Sequence, residues 1–323
     1  MKSIRFVAGF ALLALFALSI AQAQDRNLMN LVPKPNKAHA PAPAIKQSAP
    51  VAKSAADSCA YTFTSTGNGN NSYMEFCVSV NGNIISFQSP DGIEYLDLGT
   101  LSEGYGVCDE STGATYYDYA DYGASGFGTA TTLSSSATSV KIARTTNDGA
   151  WTLTQIITKV GGGTGAGESP YAKIEMQLKN NSGVEKEALL LRWADVDPYD
   201  ANETLSFTES FDSTYNSAWG YTNYYNSYNG DYNGYGLMIQ NIGNPTTTPA
   251  GEYYFYAVNW DINSAPGSPF NASSVCDPFY YWSGPTTNNN LGTDEVDGSV
   301  LVFYVFDVNA HKTFTSYTRY VAM

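Results

Sequence analysis

Along most of the chain, apolar and polar residues alternate with a period of two. The pattern is plain at residues 73–80, 83–88, 139–145, 150–158 and 171–178. It returns at 252–258, 300–306 and 313–321. Valine, isoleucine, threonine and aromatic residues dominate these runs, which suits half-buried pleated strands. Turn residues separate them: Asn81-Gly82, Asn147-Asp148-Gly149, Asn180 to Gly183 and Asp297-Gly298. No stretch holds a 3.6-residue apolar period long enough for a helix. About a dozen strands at hairpin spacing predict an all-β fold, a large antiparallel β-sandwich with few or no helices. No break in composition divides residues 57–323, so they read as a single domain. The glycine run 161–167 reads as a hairpin loop; no Lys-Ser/Thr pair follows to make it a phosphate loop.

One stretch departs from simple alternation. The apolar strand 188–194, Ala-Leu-Leu-Leu-Arg-Trp-Ala, leads into an acidic loop over 195–203. A tyrosine-crowded segment, 217–235, follows and reads as a second loop. The apolar strand 236–240 closes the stretch. Loops mounted on strands are the usual place for a site, because the strands hold them in position.

The N-terminus supplies a compartment. Lys2 and Arg5 precede an apolar run from Phe6 to Ile20 and the small-x-small triplet Ala21-Gln22-Ala23, so residues 1–23 read as a signal peptide. An uncleaved anchor is the alternative. Residues 24–56, rich in Pro, Ala and Lys, read as an extended linker with five cations against Asp25. Such a linker is either a solvated spacer or a basic tether. The expected location is secreted, periplasmic or on the cell surface. No second apolar run is long enough to span a membrane.

Charge narrows the partners. Residues 57–323 hold nine Lys and Arg against twenty-nine Asp and Glu, a net charge of −20. Nucleic acids and anionic membranes demand a basic surface, so nucleic-acid binding is excluded as the role of the domain. The four cysteines, Cys59, Cys77, Cys108 and Cys276, form an even set in an exported chain and read as two disulfides. Three connectivities are open. Cys59 and Cys77 flank one predicted hairpin, which favours Cys59–Cys77 with Cys108–Cys276. A zinc site is the weaker reading, since no Cys-x-x-Cys occurs and the histidines are only His39 and His311.

Candidate chemistry lies in the two loops. Asp195, Asp197, Asp200, Asn202 and Glu203 offer oxygen donors within nine residues, a set suited to Ca²⁺ outside the cell. The spacing lacks the glycine and final glutamate of an EF-hand. The competing reading is a solvated acidic turn with Arg192 paired to one aspartate. Asp195 or Asp197 with Glu209, Asp212 or Asp261 could alternatively supply the two carboxylates of a glycosidase. A serine–histidine triad is the weaker reading still, since no Gly-x-Ser-x-Gly element occurs and His311, the one histidine after the linker, falls in an expected turn between the last two strands.

The aromatic segment carries Trp219, Tyr221, Tyr224, Tyr225, Tyr228, Tyr232 and Tyr235 among Asn, Gly and Ser. Further clusters are Tyr280, Tyr281 and Trp282 after Cys276, and 115–122 after Cys108. Rings beside amides offer stacking faces and polar edges, which suits sugar or a protein partner. The alternative is tyrosines packed over sheet ends. If Cys108 and Cys276 are bonded, the last two clusters meet.

At Leu190-Leu-Arg-Trp-Ala-Asp-Val-Asp197, Ser217-Ala-Trp-Gly220 and the closing Tyr320-Val-Ala322, the chain resembles a loose group of exported bacterial β-sandwich proteins. Their sheets are similar to the supersandwich of aldose-mutarotase-like and carbohydrate-processing domains. The resemblance implies fold and export, and no catalytic residue, because the mutarotase histidines have no equivalents. The expectation is a secreted, non-catalytic binding or surface-associated protein that recognises carbohydrate through its tyrosines, with Ca²⁺ stabilisation. A carboxylate-based hydrolase or lyase and a structural extracellular component are the alternatives.

Overall fold

A computed structural model describes residues 58–65, 73–89, 93–96, 103–120, 123–161, 169–196, 207–212, 216–226, 231–243, 252–259, 275–276 and 298–322. All belong to the compact unit Pro50–Met323. The expected signal peptide and linker lie outside the described residues.

Among the described residues there are seventeen strands, in three antiparallel sheets. The first sheet joins β1 (Tyr61–Ser65), β2 (Met74–Val78) and β3 (Ile84–Gln88). Six strands form the second. Three of them are β4 (Glu103–Asp109), β5 (Ala114–Tyr119) and β6 (Gly123–Ser125), and the others are β11 (Lys186–Asp195), β15 (Glu252–Asn259) and β16 (Gly298–Val308). Their order is β15-β16-β11-β4-β5-β6. The third sheet has eight strands: β7 (Thr131–Ser135), β8 (Ser139–Thr145), β9 (Trp151–Val160), β10 (Tyr171–Asn180), β12 (Phe207–Asp212), β13 (Ser217–Asn226), β14 (Asp231–Asn241) and β17 (Thr313–Ala322). It runs β12-β13-β14-β17-β10-β9-β8-β7. The all-β sandwich read from the alternation is the fold.

The period-two pattern decides which face each strand buries. In β10, Ala172, Ile174, Met176 and Leu178 are buried, while Tyr171, Lys173, Glu175 and Gln177 alternate with them on the other face. The buried set joins Leu153 and Ile157 of β9, Phe314 of β17, and Leu190, Val302 and Tyr304 of the six-stranded sheet in one core. Phe306 stacks on Phe314 across it, with ring centroids 3.5 Å apart. Removing that much aromatic surface from water is the main force holding two sheets face to face.

The six-stranded sheet is covered on both faces. Its other face carries a second apolar cluster of Tyr117, Tyr119, Leu189, Leu191, Trp193, Leu301 and Phe303, closed by Val275. That explains why β11 reads as a nearly continuous apolar run rather than an alternating one. Both disulfides have the favoured connectivity, Cys59–Cys77 and Cys108–Cys276. The second pins Val275 beside Gly106, where an added Cβ would stand 2.9 Å from a Val275 methyl. The last turn is as expected: His311 takes a left-handed conformation (φ 60°) between β16 and β17.

Candidate functional site

The acidic segment follows the end of β11 in sequence. Asp195 is the final residue of that strand, opposite Ser299 of β16, and is only 3% exposed. Val196 follows, fully buried and bridged to Leu96. Asp197, Asp200, Asn202 and Glu203 lie outside the described residues. Arg192 does not pair with the acidic loop. It points inward from β11 and pairs with Glu103 of β4 at 2.5 Å, because alternation puts it on the core face with Leu190 and Ala194.

The aromatic segment differs from its sequence reading. Residues 217–226 are strand β13 and 231–241 are strand β14, an antiparallel pair in unbroken register from Ser217↔Gln240 to Asn226↔Asp231. Asn, Gly and Ser suggested a loop, but ladder pairing on both sides of β13 overrides their weak strand propensity. Ala218 and Gly220 are buried, and Trp219 between them is half-buried. Tyr221 and Tyr225 take register positions that alternate with Ala218 and Gly220, as Trp219 does; Tyr224 takes the other set. Tyr228, Tyr280, Tyr281 and Trp282 lie outside the described residues.

The two halves of the site meet at one point. A Cβ on Gly220 would stand 3.0 Å from Val196, so β13 passes directly over the root of the acidic loop. Strands β12, β13 and β14 pack against β15 and β16 of the facing sheet. Glu209 and Asp212 sit on β12, one strand beyond β13, and Asp261 is outside the described residues.

The cluster after Cys108 also differs. Residues 114–119 form β5, with Tyr117 and Tyr119 buried under Val275 beside Cys108. These tyrosines are core. Cys108, Glu110 and Cys276 come close enough to suggest a metal site, but the two sulfurs are bonded to each other and Glu110 alone remains as a donor.

Alternation alone did not disclose a chain of buried polar groups between the sheets. Glu103 Oε1 accepts from Tyr320 O–H (2.9 Å) and Oε2 from Ile84 N–H (2.9 Å). Arg192 donates to Gln155 Oε1 (2.6 Å) and to the Gly82 carbonyl (3.3 Å). Gln155 donates to the Asn81 carbonyl (3.4 Å), which also accepts from Tyr105 O–H (2.7 Å). Arg144 then donates to Tyr105 (3.0 Å) and pairs with Asp118, which holds the Asn81 amide (3.0 Å). The turn between β2 and β3 thus sits at the centre, gripped by both large sheets. Gly82 has φ +95° there, and a Cβ on it would lie 2.5 Å from the Gln155 amide.

Burial drives the electrostatics of this seam. It lifts the Glu103 carboxyl to about 7, against the opposing pull of Arg192 and of the Ile84 and Tyr320 hydrogen bonds. Burial also pushes the Tyr320 and Tyr105 hydroxyls well above their ordinary range. Glu103 and Arg192 are both 0% exposed. A group with that titration in an open cleft would be a catalytic candidate; sealed between sheets, it is a structural tie.

Neither a protein-family model nor a curated protein matches this sequence. Solved structures give loose likenesses, each covering 81% of this chain. One is a putative aldose 1-epimerase from Escherichia coli K12, 8% identical, with TM-score 0.38 and 99% of that chain covered. A second is a mutant of the heparan sulfate lyase HepC from Pedobacter heparinus, 11% identical, with TM-score 0.38 and 35% covered. The third, a galactose mutarotase related enzyme from Lactobacillus acidophilus, is 7% identical, with TM-score 0.33 and 97% covered. At such scores the likeness is a loose one of sandwich architecture, and no residue is carried across.

Proposed function

We propose that this is an exported, non-catalytic carbohydrate-binding protein whose recognition surface is built on the β13–β14 hairpin. The carrying observation is the register of β13. Trp219 is half-buried at a position alternating with the core residues Ala218 and Gly220, and Tyr221 and Tyr225 continue its series. A strand whose register puts Trp219, Tyr221, Asn223 and Tyr225 at successive positions of one set suits stacking on sugar faces with amide contacts to hydroxyls. Two disulfides support an oxidising compartment. Among the described residues no helix is long and apolar enough to cross a membrane.

Calcium belongs to this proposal. Asp195 is a buried carboxylate at the root of the acidic loop, and Asp197, Asp200 and Asn202 follow closely enough to complete an oxygen donor set. The cation would fix the acidic segment to its root, where Val196 lies against Gly220 of β13. The binding claim is tested by affinity electrophoresis of the full chain through a panel of neutral and acidic polysaccharides. Retardation by at least one, weakened about tenfold or more in Trp219→Ala, is expected, in line with an aromatic contact worth one to a few kcal/mol. No retardation by any polysaccharide would sink the reading. Release of reducing ends, lost in Asp195→Asn, would overturn its non-catalytic part.

A further inference from the structure

The folded region is strongly acidic, yet its cations are not evenly spread. Of its nine Lys and Arg, Arg144, Arg192 and Lys186 are committed to ion pairs with Asp118, Glu103 and Asp109. Lys159 donates to the Thr64 carbonyl. Lys312 lies in the turn before β17. The other four, Lys141, Lys173, Lys179 and Arg319, occupy one surface, the face of the eight-stranded sheet turned away from the core. Among the described residues, the register places two carboxylates on that face, Glu175 of β10 and Asp212 of β12; Asp212 stands three strand spacings, roughly 14 Å, from Arg319 along the same row.

Two of these cations are set side by side. Lys173 of β10 is the direct cross-strand partner of Arg319 of β17, an arrangement that like charges normally disfavour. Each is held by the other strand's aromatic ring. Lys173 Nζ stands 4.9 Å from the Tyr317 ring centre, and the Arg319 guanidinium stands 5.2 Å from that of Tyr171. Gln240 fixes the guanidinium further by accepting from its Nε at 2.8 Å. The pair is therefore preorganised, flanked by two half-buried rings, with its mutual repulsion left for an anion to relieve.

The register joins this pair to the hairpin. Trp219 pairs with Met238, Met238 with Val321, and Val321 with Tyr171. The next row runs Gln240, Arg319, Lys173, Thr158 and Ser139. From β13 to β8 the face crosses five strand spacings, about 24 Å at roughly 4.8 Å each. That is the reach of an oligosaccharide rather than of a single sugar.

We infer that this face binds an acidic polysaccharide, with Lys173 and Arg319 taking a carboxylate or sulfate while Tyr171, Tyr317 and Trp219 stack on sugar rings. The inference deepens the proposed carbohydrate recognition and rests on it, naming the class of glycan and the residues that select it. A nucleic acid would present phosphates to the same pair, so an oligonucleotide is the competing polyanion in the test.

The test uses the full chain, with polygalacturonate as acidic probe, dextran as neutral probe and a single-stranded oligonucleotide as a second polyanion. Polygalacturonate should bind, weaken as salt rises, and lose at least tenfold in affinity in the Lys173→Gln/Arg319→Gln double variant. Lys141→Gln/Lys179→Gln, a change at the two lysines of this face outside the cross-strand pair, should give a smaller loss in the same direction. Retained binding in both double variants would overturn the assignment to this face. Dextran binding that depends on Trp219, with no preference for polygalacturonate, would overturn the inference while leaving carbohydrate recognition standing. Absence of binding to any polysaccharide would remove both. Equal affinity for the oligonucleotide, lost in the same variant, would overturn the glycan assignment in favour of a general polyanion surface.

Discussion

Replacing Arg192 with Met tests whether the buried seam holds the sandwich together. The side chain is 0% exposed and pairs with Glu103 at 2.5 Å while donating to Gln155 and Gly82. Methionine fills part of the volume but leaves Glu103 between the sheets without its counter-charge. Breaking a buried pair in this way costs about 3–5 kcal/mol. For a domain of this size that corresponds to a fall in Tm of roughly 6–20 °C. The double change Arg192→Met with Glu103→Leu removes both charges and should recover much of the loss.

The pH dependence supplies a sharper check. The folded Glu103 carboxyl, at about 7, lies above its ordinary value of 4.5. The folded state therefore holds a proton that the unfolded chain releases above 4.5. Its contribution to stability is fully present below 4.5 and is lost as pH rises through 7. Arg192 opposes that rise, so the Met variant should keep the proton to higher pH and its deficit should shrink on acidification. Thermal melts from pH 5 to 8 of wild type, Arg192→Met, Glu103→Gln and the double variant measure this. A single variant melting within about 2 °C of wild type would refute the reasoning, since even 1 kcal/mol moves Tm by more than that. So would a deficit that grows as pH falls.

Other features yield separate tests. Removing the Cys108–Cys276 bond with a Ser pair, which opens a sequence separation of 168, should cost about 5 kcal/mol by chain entropy. Opening Cys59–Cys77, with a separation of 18, should cost about 3 kcal/mol. Denaturant melts of the two variants should preserve that order. Gly82→Ala, at φ +95° with its Cβ 2.5 Å from the Gln155 amide, should destabilise by about 1–3 kcal/mol, whereas Gly113→Ala, which has φ +71° but nothing within 4 Å, should cost less. A chelator should lower the Tm if Asp195 and its neighbours hold Ca²⁺, because a ligand bound only by the native state stabilises it. Equal melting with and without chelator would remove the cation.

The strands most legible in the sequence include several with one wet face, and the apolar run of β11 was legible as well. β8, β9, β10 and β17 alternate cleanly because their other side meets solvent. The disulfide pairing followed from cysteine parity and one hairpin. β4 was not legible. Its sequence, Glu-Gly-Tyr-Gly-Val-Cys-Asp, places two glycines and two acids in a strand that is wholly buried. The glycines are there because a Cβ at Gly104 would overlap the Tyr119 ring and one at Gly106 would crowd Val275. Those neighbours come from distant parts of the chain, so no local pattern announces them. The same holds for Glu103 and Arg192, partners across separate strands, and for Lys173 beside Arg319. In the candidate site, Trp219 was legible as an aromatic signal, but the strand that carries it was hidden by its Asn and Gly neighbours.

The β2–β3 turn bears on how the protein breathes. Asn81, Gly82 and Asn83 are held by Asp118, Arg192, Gln155 and the Glu103 carbonyl. Strand β2 is covalently tied through Cys59–Cys77 to a residue two positions before β1. Among the described residues, the smallest sheet is thus tied to both large sheets at this turn, which opposes its swinging away while they stay closed. Its amide protons should exchange with solvent only when the whole sandwich opens, which makes three short strands a reporter of global rather than local opening.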